Sequence, residues 1–403
     1  MGLLVSLDSR SPLPALAIPY LYFLLIAALS LPQGWYRARI IILLAAYIFH
    51  LLNHTTGSRV SDYGMGCTVA QIFFKFADYV VLSNAEAEFS RNSLGDMTTY
   101  EGASELDQPK LANPSGMLSP WQAFVKKLRW ALELSVTARG IGWSWQVKNV
   151  PSSTVSAPSW TKSDFHEVLS RHLMNFDLSN CIFVLKNIFR ALGFVILIRI
   201  RAFILTSYPA SMFHSSNVVV QSLLCFIYGS QIAFGLNMIY AMAAAITVSV
   251  GIYDICDWPP VFGNFTDAYT LRRFWGQSWH QMERRIVSKF GIFTARDVLH
   301  FPAGTFGSRY IQLYVAFFIS GLIHWFGGVF ACRKGLNEMQ FFMAQAVAIM
   351  AEDAAIEIFR LVGCNETLPV WIRKGVGYTW VTTWLAYSLR LYVGKLAENN
   401  VWL

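Results

Sequence analysis

Between Asn217 and Tyr253 the chain carries no charged residue. An apolar stretch of that length finds its favourable solvent in the hydrocarbon of a bilayer. There, ~20 residues of helix cross a ~30 Å core and satisfy their own backbone polar groups. Further apolar runs lie near 15–31, 38–52, 67–83, 187–206, 310–331, 339–362 and 376–394. Charged residues make up 14% of the chain, where a soluble domain carries roughly 25%. The mean hydropathy is +0.41. The chain is therefore expected to be all-α, a polytopic helical membrane protein with about eight transmembrane helices.

Two of these runs depart from a simple span. The 217–253 run is too long for one upright helix, so it is expected to break at Gly229 or Gly235, or to tilt strongly. Lys186, Arg190, Arg199 and Arg201 crowd the 187–206 run, which marks it as partly interfacial.

The expected organisation is N-terminal transmembrane helices over 1–83, a polar loop over 84–178, and a membrane core over 179–403. Within the loop, "DQPKLANPSG" reads as a mobile stretch. A second polar segment covers 254–309. Even numbers of spans separate these two segments from each other and from Arg37 and Arg39, so all share one side. By the positive-inside rule that side is the cytosol; Arg333 and Lys334, on the opposite side, dissent. Of the sequons at Asn53, Asn264 and Asn365, only Asn53 then faces the lumen.

The net charge of +8 does not point to nucleic acid. The cations are scattered among loops and form no basic tract on a soluble domain. The six cysteines, Cys67, Cys181, Cys225, Cys256, Cys332 and Cys364, never form a close pair, and most lie in or beside apolar runs. Neither a disulfide framework nor a zinc spacing is visible. The N-terminus lacks a basic region, so the first apolar run reads as a permanent span.

Three segments could carry chemistry. In the span from Tyr310 to Ala331, His324 is the one side chain able to titrate near neutral pH. An ionisable group inside a membrane is costly and marks function by default; a neutral imidazole there can accept a proton as a general base. The alternative is a structural histidine hydrogen-bonded to a neighbouring helix. Next comes "RRFWGQSWHQMERR", Arg272 to Arg285. A helix over about 271–289 would put Trp275 and Trp279 on one face, with His280 beside Trp279. Arg272, Arg273 and Arg284 would meet either lipid phosphate or the phosphates of an anionic cosubstrate. Third is "ARGIGWSWQVKNVP", where Arg139 and Trp143 belong to either a binding motif or a turn packed by two indoles. It lacks the third glycine of a dinucleotide fingerprint. "HLLNH" spaces His50 and His54 as metal-binding helices do, but the other histidines form no companion box, so no metal is expected.

"LRRFWGQSWHQ" followed by "FPAGTFGSRYIQLYVAFFISGLIHW" resembles the wax-synthase branch of the membrane-bound O-acyltransferases, and "RGIGWSW" resembles a motif of its fungal members. The resemblance covers about Leu128 to His324 in three segments. It implies a helical fold enclosing a tunnel, with acyl-CoA entering from the cytosol and a hydroxyl acceptor arriving through the bilayer. It implies His324 as general base and His280 as the second polar residue of the site. Trp275, Trp279, Arg272, Arg273, Arg284, Arg139 and Trp143 become candidates for holding substrate or CoA. Fungal members of this kind acetylate hydroxyls of terpenoid or meroterpenoid scaffolds in secondary metabolism. The expected partners are therefore acetyl-CoA as cosubstrate, a hydrophobic alcohol and the lipid bilayer, with no bound cofactor and no nucleic acid, in the endoplasmic reticulum membrane. A long-chain wax synthase is the alternative within the class. A transporter would show an internal repeat, and none is visible.

Overall fold

The computed structural model describes residues 6–91, 119–150, 178–363 and 368–401. The "DQPKLANPSG" stretch, the sequon at Asn365 and Cys364 lie outside the described residues. Each of the eight apolar runs is helical. The helices are α1 (Ala17–Ser30), α2 (Ile40–Leu51), α3 (Arg59–Leu82, with a π turn from Ala77), α4 (Pro120–Val136), α5 (Leu178–Ser207), α6 (Val218–Ser249), α7 (Arg284–Ile292), α8 (Phe306–Cys332), α9 (Glu338–Leu361) and α10 (Val370–Glu398). Among the described residues, α3, α5, α6 and α8 are both long and apolar enough to cross a membrane, while α1 is apolar but has 14 residues. The sequence expectation of about eight spans thus meets eight helices, of which four satisfy both requirements.

Polar residues at the run boundaries start these helices. The Ser58, Asn217 and Thr305 side chains accept the backbone N–H of Ser61, Val220 and Ser308, each satisfying one otherwise orphaned donor. Helix α6 runs unbroken for 32 residues, ~48 Å at 1.5 Å per residue. Gly229 and Gly235 do not break it. A Cβ at either would meet nothing within 4 Å, so these glycines serve no close approach, and the excess length must go into tilt or overhang. The charges on α5 are partly spent on α6: Arg190 donates to Asn237 Oδ1 at 2.7 Å and Arg201 to the Ile227 carbonyl at 3.2 Å. That pairing leaves α5 a continuous apolar helix able to cross, in place of the interfacial segment expected there.

Contacts sort the connecting segments to two ends. At one end, Arg10 pairs with Asp62 at 2.8 Å and donates to the Phe330 carbonyl, Ser11–Pro12 pairs in parallel with His54–Thr55, and Arg59 reaches the Asn399 carbonyl. At the other end, Arg37 pairs with Glu86, Arg139 reaches the Pro259 and Pro260 carbonyls, and Arg285 pairs with Asp78. The two polar segments and Arg37 therefore share an end, as the even number of intervening runs requires.

Helices α3 and α8 meet at almost bare backbone. A Cβ on Gly66 would stand 2.5 Å from the Phe326 carbonyl oxygen and 2.8 Å from Gly327 Cα; one on Gly327 would stand 2.8 Å from Cys67 Sγ and 2.9 Å from the Tyr63 carbonyl oxygen. Small residues permit this approach, and it carries Tyr63 and Cys67 to the C-terminal third of α8.

Candidate active site

The arginine- and tryptophan-rich segment is not the single helix expected over 271–289. A short helix, Leu271–Arg273, capped by the Thr270 side chain, passes into a π turn, Phe274–Ser278. Trp279 is extended, and α7 begins at Arg284. The cause is tertiary. The loop before it bonds onto the turn, with the Gly263 N–H on the Ser278 carbonyl at 3.0 Å and Ser278 Oγ on the Asn264 carbonyl at 3.0 Å. The Gln281 side chain then donates to the carbonyls of Trp275 and Trp279 at 3.1 and 2.7 Å, occupying acceptors an α-helix would have used internally. The break aims Trp275 and His280 inward. Trp275 packs on Phe317, Phe341 and Phe342.

His324 sits in the C-terminal third of α8 among groups from α3 and α9. Its Nδ1 faces Tyr63 Oη at 3.5 Å and Cys67 Sγ at 3.8 Å. Tyr63 Oη in turn makes a short hydrogen bond with Tyr392 Oη from α10. The Phe342 ring stacks on the imidazole with centroids 4.7 Å apart.

The two histidines stand at the ends of one run of rings. From His324 it passes through Phe342 to Trp275 at 6.3 Å, to Trp279 at 6.1 Å and to His280 at 5.5 Å. Burial pushes the His280 imidazole down to about 4, and the nearby His324 and Arg139 push the same way. His280 is thus neutral throughout the physiological range. Its Nδ1 and the Trp275 indole nitrogen are both buried with no hydrogen-bond partner among the described residues.

The predicted cations separate into engaged and free. Arg272 grips Asp353 through Nε at 3.0 Å and Nη2 at 2.5 Å. Arg139 is buried and donates to the Pro259 and Pro260 carbonyls and to Tyr240 Oη. Both act as clasps. Arg273 lies over the Tyr269 ring at 4.5 Å. Neither Arg273 nor Arg284 forms an ion pair among the described residues, and Arg284 is exposed. Trp143 packs in the cluster of α1 to α4 with Phe89 and Trp130, away from both histidines. Its segment is the tight turn its glycines suggested: Gly140 has φ +62°, and a Cβ there would strike the Trp145 ring at 2.7 Å. Asn149 Nδ2 donates to the Gly276 carbonyl at 2.8 Å, so this turn braces the π turn that carries the site.

Several site-lining groups escaped the sequence reading. Tyr63, Cys67, Gln71 and Lys75 recur every fourth residue of α3, a stripe of polar and sulfur-bearing side chains along one face of the helix. Tyr63 and Cys67 face His324. Gln71 Nε2 donates to Glu283 Oε1 at 2.6 Å, and Lys75 caps the end of α4 through the carbonyls of Ser135 and Thr137. The four-residue spacing was the available signal. Burial pushes the Glu283 carboxyl up to about 7. The His50 and His54 rings lie 4.7 Å apart, tilted by 59°, and no group of three or more metal-ligating side chains occurs among the described residues.

An imidazole on a helix able to cross a membrane, a second, neutral one at the other end of a wall of rings, and two arginines outside any ion pair among the described residues suit transfer of an activated group to an unactivated nucleophile. Comparison with known proteins defines the class. A family model described as "Membrane bound O-acyl transferase family" matches residues 258–344, which hold both histidines. Acetyltransferase eriL of Hericium erinaceus is 31% identical over 283 residues, 68% of this chain and 67% of the relative.

The chain belongs to the membrane-bound O-acyltransferase family. Acetyltransferase ple2 of Rhodocybe pseudopiperita is 28% identical over 400 residues, 96% of this chain and 91% of the relative. O-Mevalon transferase yanI of Aspergillus niger is 27% identical over 352 residues, 81% of this chain and 71% of the relative. No solved structure matches. As a member of the membrane-bound O-acyltransferase family the protein is an integral membrane enzyme that transfers an acyl group, with an acyl-CoA donor and an alcohol acceptor.

Proposed function

We propose that this O-acyltransferase moves an acetyl group from acetyl-CoA to a hydroxyl of a hydrophobic terpenoid or meroterpenoid intermediate in secondary metabolism, in the endoplasmic reticulum membrane. His324 is the general base. As the acceptor oxygen attacks the thioester carbonyl, its proton passes to His324; the C–S bond then breaks and the leaving thiolate takes that proton, giving the ester and free CoA. An alcohol needs such a base, because it is a weak nucleophile until its proton is removed. The thioester is already activated.

The observation that carries this reading is the run of rings from His324 through Phe342, Trp275 and Trp279 to His280. It gives both imidazoles one apolar wall, along which a greasy acceptor can lie. The orphaned nitrogens of Trp275 and His280 are candidates to receive the oxyanion; a preorganised donor of this kind is worth ~3–4 kcal/mol. Arg284, exposed beside this segment, is the preferred contact for CoA phosphate, with Arg273 second. Arg272, Arg139 and Trp143 are assigned to holding the site together.

Relatives named acetyltransferases support the acetyl donor, while a relative named O-mevalon transferase makes the acyl group the first thing to test. Microsomes containing the enzyme are to be incubated with labelled acetyl-CoA or palmitoyl-CoA and a panel of hydroxylated terpenoids. Acetyl transfer that is lost in His324→Ala is the expected result. Palmitoyl transfer without acetyl transfer would favour the wax-synthase alternative, and a folded, fully active His324→Ala enzyme would refute the base.

A further inference from the structure

We propose that Tyr63 is the positioning residue for His324, itself held by Tyr392, with the buried Glu338 carboxyl one helical turn away. The proposal rests on the reading of His324 as general base. An imidazole offers a lone pair on one nitrogen while the other carries the proton and needs an acceptor. On the Nδ1 side the structure supplies Tyr63 Oη at 3.5 Å and Cys67 Sγ at 3.8 Å. A thiol is the weaker acceptor of the two. With Nδ1–H donated to Tyr63 Oη, the lone pair lies on Nε2, the nitrogen left to meet the acceptor alcohol. The Tyr63 hydroxyl proton has its own acceptor, since Tyr392 Oη lies within a short hydrogen bond.

A buried carboxyl lies nearby. When Nε2 takes the proton of the alcohol, a cation forms in an apolar interior, where an uncompensated charge is costly. Glu338 is 1% exposed, and its Oε2 accepts the Leu336 N–H, while its Oε1 has no partner among the described residues. It packs against Gly328, one turn of α8 beyond His324. The backbone around it is bare: a Cβ on Gly328 would stand 2.5 Å from Oε1, and one on Gly335 3.4 Å from Oε2. A buried acceptor left without a donor is expensive. Tyr63, Tyr392 and Glu338 come from α3, α10 and α9, so three helices set the orientation of a residue on the fourth. Neither Tyr63 nor Tyr392 falls within the 258–344 segment that matches the family.

The test is kinetic, on the full-length enzyme in detergent, with the panel substrate that turns over. Tyr63→Phe is expected to lower kcat on the order of 10- to 100-fold, as when a partner that orients a metal-bound imidazole is removed, with both KM values within about twofold. Tyr392→Phe is expected to give a smaller loss of the same kind. Glu338→Gln keeps the volume and removes the charge. It is expected to lower kcat, because the protonated base loses a nearby group able to carry the opposite charge. The titratable groups around His324 that enter the pH profile of kcat are Tyr63 and Cys67 at its Nδ1, Tyr392 bonded to Tyr63, Glu338 against Gly328 one turn away, and His280 at the far end of the run of rings. Wild-type kcat and pH profile in a Tyr63→Phe enzyme that melts normally would overturn the proposal, as would a loss confined to KM. If Tyr63→Phe does not fold, Tyr392→Phe and Glu338→Gln decide it by the same readouts, both at wild-type kcat overturning it. An active His324→Ala enzyme would instead remove the general base itself, a distinguishable failure.

Discussion

Arg285 closes on Asp78, with Nε 2.9 Å from Oδ2 and Nη2 3.2 Å from Oδ1, and Asp78 is wholly shielded from solvent. The pair joins the end of α3 to the start of α7, with Ser83 Oγ bonded to the same carboxylate and the Phe89 ring under the guanidinium. Breaking a buried pair strands the remaining charge, at a cost of about 3–5 kcal/mol. Asp78→Ala is therefore expected to destabilise the detergent-solubilised protein by about 3 kcal/mol in denaturant melts. The double variant Asp78→Leu/Arg285→Met is expected to regain most of that. Additive losses in the double variant would show that the contact is not a coupled pair.

The glycine contact between α3 and α8 sets the distance from Tyr63 to His324. Gly327→Ala puts a methyl group 2.8 Å from Cys67 Sγ and 2.9 Å from backbone oxygen, and such overpacking costs about 1–3 kcal/mol. The helices must part, so turnover is expected to fall by more than the loss of folded protein explains. Gly64→Ala, where a Cβ meets nothing within 4 Å, is the control and is expected to retain activity. Equal behaviour of the two variants in melting and turnover assays would contradict this.

His280 and Glu283 pull the pH dependence of stability in opposite directions. The unfolded imidazole takes a proton near 6.5 but the folded one only at about 4. Its contribution is therefore full above 6.5 and is lost as pH falls toward 4. Glu283 is pushed up to about 7 from 4.5, so its contribution is full below 4.5 and is lost as pH rises through 7. Each slope is at most ~1.4 kcal/mol per pH unit. Glu283→Gln is expected to unmask a melting temperature that drops with acid between pH 6.5 and 4.5, and His280→Asn one that drops as pH rises over the same window. Identical profiles in both variants and wild type would refute these assignments.

Arg284 and Arg272 lie in one motif but are expected to fail differently. Arg284, with no ion pair among the described residues, is expected to raise KM for acyl-CoA about 10-fold on mutation to alanine, equivalent to ~1.4 kcal/mol. Arg272, locked to Asp353, is expected to cost about 1–2 kcal/mol of stability as Arg272→Ala, with KM for acyl-CoA little changed. Paired measurements of KM and melting temperature separate the two roles; the reverse pattern would exchange them.

The membrane class, the helical runs and the two histidines were legible along the chain because each is a one-dimensional signal. Lipid demands uninterrupted apolar length, and His324 stands out as the one group in its span able to titrate near neutrality. The break at Phe274–Ser278 was not legible. Locally the segment has helical spacing, and it leaves the α-helix because Gly263, Asn264 and Gln281 compete for its backbone groups. The engagement of Arg272 and Arg139 was equally hidden, since an arginine that will meet Asp353 or a pair of proline carbonyls reads the same as one left for a phosphate.

By itself the sequence determined that this chain lives in a bilayer, roughly where its apolar helices lie, and which histidines invite a functional reading. Apolar length and capping residues act within a few turns of chain, so neighbouring residues suffice to specify them. Only the tertiary structure decided which polar groups surround His324 and which cations are spent on holding the fold. Those outcomes depend on Tyr63, His324 and Tyr392 meeting across hundreds of residues, at a close approach that the bare backbone of Gly66 and Gly327 allows.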